Sequence, residues 1–506
     1  MNNGPIKNGN VVRIVRKYIL ILALGTGVLW APSSKELKVD WNKVKLVSKT
    51  TPTLQVVVNP PLERGSSIHD RAFSELNQLG ADFVRYVPWL PYPKLGVAEL
   101  EPPANGKTSW DFSLIDPMTE DFINATRGHS VILNFSTIPA WMWETPRSVP
   151  YPSDPSEVTW DYTQGTKLRD PSGKELGGYY ARLVSWYVNG GFTDEYGNRH
   201  ESGHHFEVDY WEVLNEVDFE HKMTPELYTF CYDTIAAAIK RVAPSMKFIA
   251  LALAIPGDNP QMFEYFLNPK RHKPGVPINM ISYHFYASPA SDESPEVQQF
   301  TFFDQADGFI ATVRYIEEIR KRLAPNVGTD VDEIGSIAAN DNAKEPAERT
   351  AQRLPNSYWN LSGVTYAYVF AHLAELGIRI AGESQLVGYP TQFPSVTMLK
   401  WNTGAPNARF RVLQLLKSNF GPGDKIVDTD SNSPFVYALG FIGRAGQHKL
   451  LLVNKRDRDI QLTLPAPAKS IQFVDQTTKE DPPARRQVNG TVVNLHGYEV
   501  AVVTVQ

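Results

Sequence analysis

Val208-Asp-Tyr-Trp-Glu-Val-Leu-Asn-Glu216, a helical stretch from Pro225 to Val242, then Phe248-Ile-Ala-Leu-Ala-Leu253: this strand–helix–strand passage decides the fold. Two short apolar runs rich in β-formers, joined by a long helical segment, are the mark of parallel strands. Parallel strands need a crossover, whereas antiparallel neighbours need only a tight turn. The same unit recurs in both directions along the chain. Upstream lie Leu54–Val58, Phe83–Val87 and Val131–Phe135; downstream lie Met280–Tyr286, Thr329–Glu333 and Ile378–Glu383. Helical patterns cover Ile68–Leu79, Phe309–Leu323, Tyr358–Leu376 with Gly377 as its stop signal, and Ala408–Lys417. Eight alternations predict an α/β fold, a (β/α)8 TIM barrel over residues 51–420. An open dinucleotide-binding sheet would carry Gly-x-Gly-x-x-Gly after its first strand. The chain reads Asn59-Pro60-Pro61 there.

After about residue 420 the helices stop. Short alternating runs follow, separated by turn residues: Phe435–Leu439, Lys449–Val453, Ile460–Leu464, Ile471–Phe473, Thr491–Leu495 and Val500–Val503. They predict a small C-terminal antiparallel β-sandwich domain over residues 421–506. At the other end, Lys7, Arg13, Arg16 and Lys17 precede an apolar run from Tyr18 to Trp30. A basic region followed by about 13 apolar residues reads as a signal peptide or N-terminal membrane anchor over residues 1–31. Export is therefore expected: periplasmic, secreted, or anchored outside the membrane. Residues 32–50 read as a linker.

The 506 residues carry a net charge of -5, with 50 basic against 55 acidic residues. That balance lacks the basic footprint of a nucleic-acid binder. One cysteine, Cys231, excludes an internal disulfide framework and any cysteine-rich metal centre. His204 and His205 match no metal spacing, and no P-loop or Ser-His-Asp signature occurs, so neither metal nor cofactor is expected.

A barrel places its chemistry at the C-terminal ends of its strands. Strand four ends in Asn215-Glu216, strand seven in Glu333 and strand eight in Glu383. Two carboxyl groups facing each other across a barrel mouth suit glycosidic bond cleavage. One protonates the leaving oxygen, and the other meets the developing positive charge at the anomeric carbon. Strand-end carboxylates also cap helices or pair with arginine, so a non-catalytic carbohydrate-binding barrel and a barrel enzyme of different chemistry stay open. Arg85 sits within an apolar strand and needs a partner. His284 and Tyr286 share one face of strand six, and either could touch Glu333, touch a sugar hydroxyl or be a satisfied core residue. Glu383 is a rival nucleophile, a hydroxyl ligand or the partner of a cation. Trp89, Trp141, Trp143 and Trp401 fall in loops after strands, where a ring can stack on a sugar or simply pack in the core. Of these, Trp141 and Trp401 are taken as substrate-binding candidates.

The Trp211–Glu216 motif with Thr329-Asp-Val-Asp-Glu333 downstream resembles the clan-A retaining glycoside hydrolases. Within the clan the chain is most similar to family 39, the family of β-xylosidases and α-L-iduronidases. The strand Ser282-Tyr-His-Phe-Tyr286, the stretch Met398–Gly404 leading into Asn407-Ala-Arg-Phe410, and a small β domain after the barrel carry that similarity. The resemblance implies Glu216 as acid/base and Glu333 as nucleophile. It implies Asn215 as the ligand of the sugar 2-hydroxyl and Arg85 as a contact of the nucleophile. It also implies a β-xyloside-like or related pyranoside substrate within an oligo- or polysaccharide. Many relatives read Asn-Glu-Pro, whereas Val217 follows Glu216 here.

Overall fold

A computed structural model describes residues 35–159, 165–341, 354–488 and 490–506. The expected signal or anchor over residues 1–31 lies outside the described residues. The eight expected strands close into a barrel in chain order: Thr51–Val57, Val84–Val87, Val131–Leu133, Tyr210–Val213, Lys247–Leu253, Met280–Ala287, Gly328–Ser336 and Ile380–Glu383. Every neighbouring pair is parallel, and the eighth strand closes on the first with Glu383 opposite Leu54.

The crossovers form for local reasons. Helix Pro225–Val242 starts where the Thr224 hydroxyl accepts from the Leu227 amide, with proline in the first turn. Helix Asn356–Leu376 stops at Gly377, whose φ of 75° is the left-handed conformation glycine tolerates best. The helix expected from Phe309 begins earlier and spans Pro295–Leu323. Gly308 has open space around it and is carried inside the helix.

Residues 38–47, expected as part of the linker, form a ten-residue strand. It is the edge of a seven-stranded sheet and pairs antiparallel with Lys425–Asp430. Opposite that sheet lies a three-stranded one containing Lys35–Glu36, Ile460–Thr463 and Val492–Leu495. Leu37, Leu450, Leu452, Leu462, Ile471, Val493 and Val503 fill the space between the sheets. The C-terminal β domain is therefore built from both ends of the described chain. Alternate residues on the other face of its large sheet, including Leu439, Phe441, Leu451 and Val502, join the core that contains the barrel helices.

Candidate active site

Strand four ends at Val213, and regular alternation would send Asn215 and Glu216 to opposite sides. The backbone prevents this. Leu214 and Glu216 adopt positive φ of 65° and 43°, a region rare for residues with side chains. Both Asn215 and Glu216 then line the mouth. A hydrogen bond from the Glu216 amide to the Ala252 carbonyl, 2.8 Å, holds the turn. Strand seven uses a different device. Its pairing with strand six shifts register between Ser282 and His284, a bulge of the kind that re-aims side chains. Asp332 and Glu333 consequently both reach Arg85.

Arg85, 2% exposed, is the hub of the site. Its Nη1 donates to Glu333 Oε1 at 2.5 Å and to Gln55 Oε1 at 2.7 Å. Its Nε meets Glu212 and Asp332, and its Nη2 donates to Asn215 Oδ1 at 2.7 Å. Burial opposes charge on Arg85, but Glu212, Asp332 and Glu333 together hold the guanidinium pKa well above its ordinary value. The second oxygen of Glu333 accepts from the Tyr286 hydroxyl at 2.5 Å, and that hydroxyl also meets Ser384 Oγ.

His284 Nδ1 lies 3.0 Å from Glu216 Oε1 and 3.5 Å from Glu333 Oε2. Burial alone would depress the imidazole pKa. Glu333, Asp332 and Glu216 outweigh it and raise the pKa well above the free value. Burial pushes the Glu216 carboxyl up; His284 pulls it back and Glu333 pushes it further. An oxygen of Glu216 and one of Glu333 lie within 4.8 Å of each other.

Sequence reasoning missed Glu220. Its Oε1 accepts from Trp89 Nε1 and from Asn215 Nδ2, the latter at 3.0 Å. Arginine can only donate, so Asn215 must turn its oxygen to Arg85 and its nitrogen to Glu220. The two partners thus fix the amide and leave its second N–H for a ligand. Burial and the neighbouring Glu216 push the Glu220 carboxyl up to about 8. The only sequence signal was its place four residues beyond Glu216.

Other expected residues fall elsewhere. Glu383 is fully buried, and its Oε1 accepts from Arg409 Nε at 3.0 Å. It does not line the pocket, which corrects its assignment to substrate binding. Burial pushes its carboxyl up to about 8, against the pull of Arg409. Trp141 and Trp401 also lie outside the lining. Trp141 donates to the Glu99 carbonyl and carries the Arg169 guanidinium 4.7 Å from its ring centre. Trp401 packs against the core. Trp89 does line the pocket. Trp143 is buried and stacks on His221, and Cys231 is buried in its helix.

Among the described residues, two groups have the spacing of metal ligands: Glu216–His284–Glu333 and Asp475–His496–Glu499. In the first, neighbouring acids favour imidazolium, which has no lone pair to offer a metal. In the second, Arg486 occupies Glu499 while Thr477 and Thr478 occupy Asp475.

No family model matches the chain, and no curated protein matches it. Solved structures do. An arabinofuranosidase of glycoside hydrolase family 51 from Xanthomonas axonopodis pv. citri is 13% identical with a TM-score of 0.62, covering 93% of this chain and 99% of that one. AbfB, a family 51 α-L-arabinofuranosidase from Bifidobacterium longum, is 13% identical at 0.62, covering 94% and 100%. A family 30 endoxylanase from Clostridium papyrosolvens C71 is 14% identical at 0.57, covering 93% and 100%. The chain shares the overall fold of these structures, a (β/α)8 barrel joined to a β domain. Its likeness to families 51 and 30 is one of architecture, and the family 39 similarity rests on the sequence motifs.

Proposed function

We propose that the protein is a retaining glycoside hydrolase. The observation that carries this reading is that one oxygen of Glu216 and one of Glu333 lie within 4.8 Å of each other in one pocket, with His284 Nδ1 3.0 Å and 3.5 Å from the two carboxyl groups. Retaining enzymes hold their carboxyl groups about 5–5.5 Å apart, whereas inverting ones need about 6.5–9.5 Å to admit a water.

The steps follow from the hydrogen bonds. Arg85 and Tyr286 bind both oxygens of Glu333 and fix its orientation. Glu333 attacks the anomeric carbon and forms a glycosyl ester as the bond to the leaving oxygen breaks. Glu216, its pKa raised, gives its proton to that oxygen. Glu216 then takes a proton from water, which attacks the anomeric carbon and releases the sugar and Glu333. The free N–H of Asn215 meets the sugar 2-hydroxyl. The glycone is a β-xyloside-like or related pyranoside, as the family 39 similarity implies. Export is proposed from the basic and then apolar N-terminal sequence.

The test is intact-protein mass after incubation with 2-deoxy-2-fluoro glycosyl fluorides of several sugars, followed by peptide mapping. A label on Glu333 is expected, and the sugar that gives it names the glycone. A label on another residue, or none with any sugar, overturns the proposal.

A further inference from the structure

The pocket holds about 250 Å³. Its floor is polar: Gln55, Asn215, Glu216, Tyr286, Glu333 and Gln385. Its wall is not. Phe219 and Ile255 are 63% and 48% exposed, large apolar side chains left at a site mouth. The loops that carry them are tied together through Asp218. Both Asp218 oxygens are used, Oδ1 by the Ala254 amide and Oδ2 by the Ile255 amide, each at 3.0 Å. The Asn259 side chain also donates to Oδ2. The Phe219 amide donates to the Glu216 carbonyl at 2.8 Å. The loops after strands four and five are thereby clamped into one apolar shelf whose root is the acid/base residue.

Position decides what the shelf meets. A general acid must reach the leaving oxygen, so whatever hangs from that oxygen lies beside Glu216. Phe219 can stack on the apolar face of a ring, but neither it nor Ile255 offers a hydrogen bond, so sugar hydroxyls turned to this wall would lose water without replacement. An apolar group gains by the same contact. Among the described residues no Lys or Arg lines the pocket, so nothing there favours an anionic leaving group. We infer that the substrate is a glycoside with an apolar aglycone, an aromatic or long-chain alcohol, rather than a link within a polysaccharide. This inference rests on the hydrolase reading above and names the leaving group that reading left open.

The test uses the sugar that labels Glu333. Octyl, benzyl and methyl glycosides and the corresponding disaccharide are compared by kcat/KM for release of that sugar; the three simple alcohols differ little in acidity, and the more acidic leaving hydroxyl of the disaccharide works against the expected order. The octyl or benzyl glycoside is expected to exceed the methyl glycoside and the disaccharide by at least about tenfold. The Phe219→Ser/Ile255→Ser double variant is expected to bring that ratio close to one, with Ile255→Ser alone in between. Octyl ahead of benzyl assigns a lipid-like aglycone; benzyl level or ahead assigns an aromatic one. A disaccharide turned over as fast as either, or a ratio the variants leave intact, overturns the inference while the Glu333 label keeps the hydrolase. No label on Glu333 with any sugar removes both.

Discussion

Glu333 lies three residues before the end of strand seven and Glu383 ends strand eight, and each meets a buried arginine within 3.0 Å. An ion pair therefore does not distinguish the proposed nucleophile from a structural carboxylate. Their second oxygens do. Glu333 Oε2 faces Tyr286 and the pocket, whereas Glu383 Oε2 is buried without a hydrogen bond. Arg85 is shared among Glu212, Asp332 and Glu333, but Arg409 spends its other donors on the Val396 and Ser384 carbonyls. One pair leaves reactive surface; the other locks the loop after strand eight.

Substitutions should separate the two. Glu333→Ala should lower turnover of an accepted glycoside by at least ~10³-fold, measured as kcat, because no second group can form the ester. Glu383→Ala strands a buried cation and should cost about 3–5 kcal/mol in denaturant unfolding, while the folded fraction keeps its turnover. Equal catalytic loss in both would erase the contrast. Next comes charge coupling. Glu333 is one cause of the raised Glu216 pKa. Removing its charge in Glu333→Gln should let Glu216 titrate at lower pH, followed by ¹³C NMR of its carboxyl carbon. In the native enzyme the raised pKa keeps the acid protonated to higher pH. Activity on unactivated glycosides is then lost as pH rises through that pKa, and glycosyl fluorides, which need no proton, should show a weaker alkaline fall. Tyr286→Phe removes one hydrogen bond to a charged oxygen and should cost about 1.5–3 kcal/mol of transition-state stabilisation, read from kcat/KM. The smallest effect is expected at Glu220. Glu220→Gln keeps both acceptor contacts, so KM should hold, whereas Glu220→Ala frees the Asn215 amide and should lower kcat more than it raises KM.

The barrel was legible because eight period-breaking alternations leave few other topologies, and the meeting of Glu216 and Glu333 at one pocket because the C-terminal part of its strands is where a barrel presents charge. Pairing partners were harder to read. Glu383 and Arg409 are far from their roles in sequence terms, and only closure of strand eight onto the following helix brings them together. Glu220 depends on a loop with two positive-φ residues, a geometry that composition does not announce. Trp141 and Trp401 follow strands as expected, yet each ring turns back to the body of the protein. The strand Lys38–Val47 looked like a linker because one face and much of the other are solvated, as at the edge of a sheet.

That edge strand also sets a timetable. Its partner, Lys425–Asp430, is synthesised nearly four hundred residues later, roughly 20–80 s at ordinary elongation rates. Through that interval Val39, Trp41, Val44 and Leu46 belong to a strand with nothing to pair against. Lys38, Lys43 and Lys45 are interleaved among them, and like charges of this kind discourage strands of neighbouring chains from joining. The lysines that disguise the segment as a linker are also its guard while it waits.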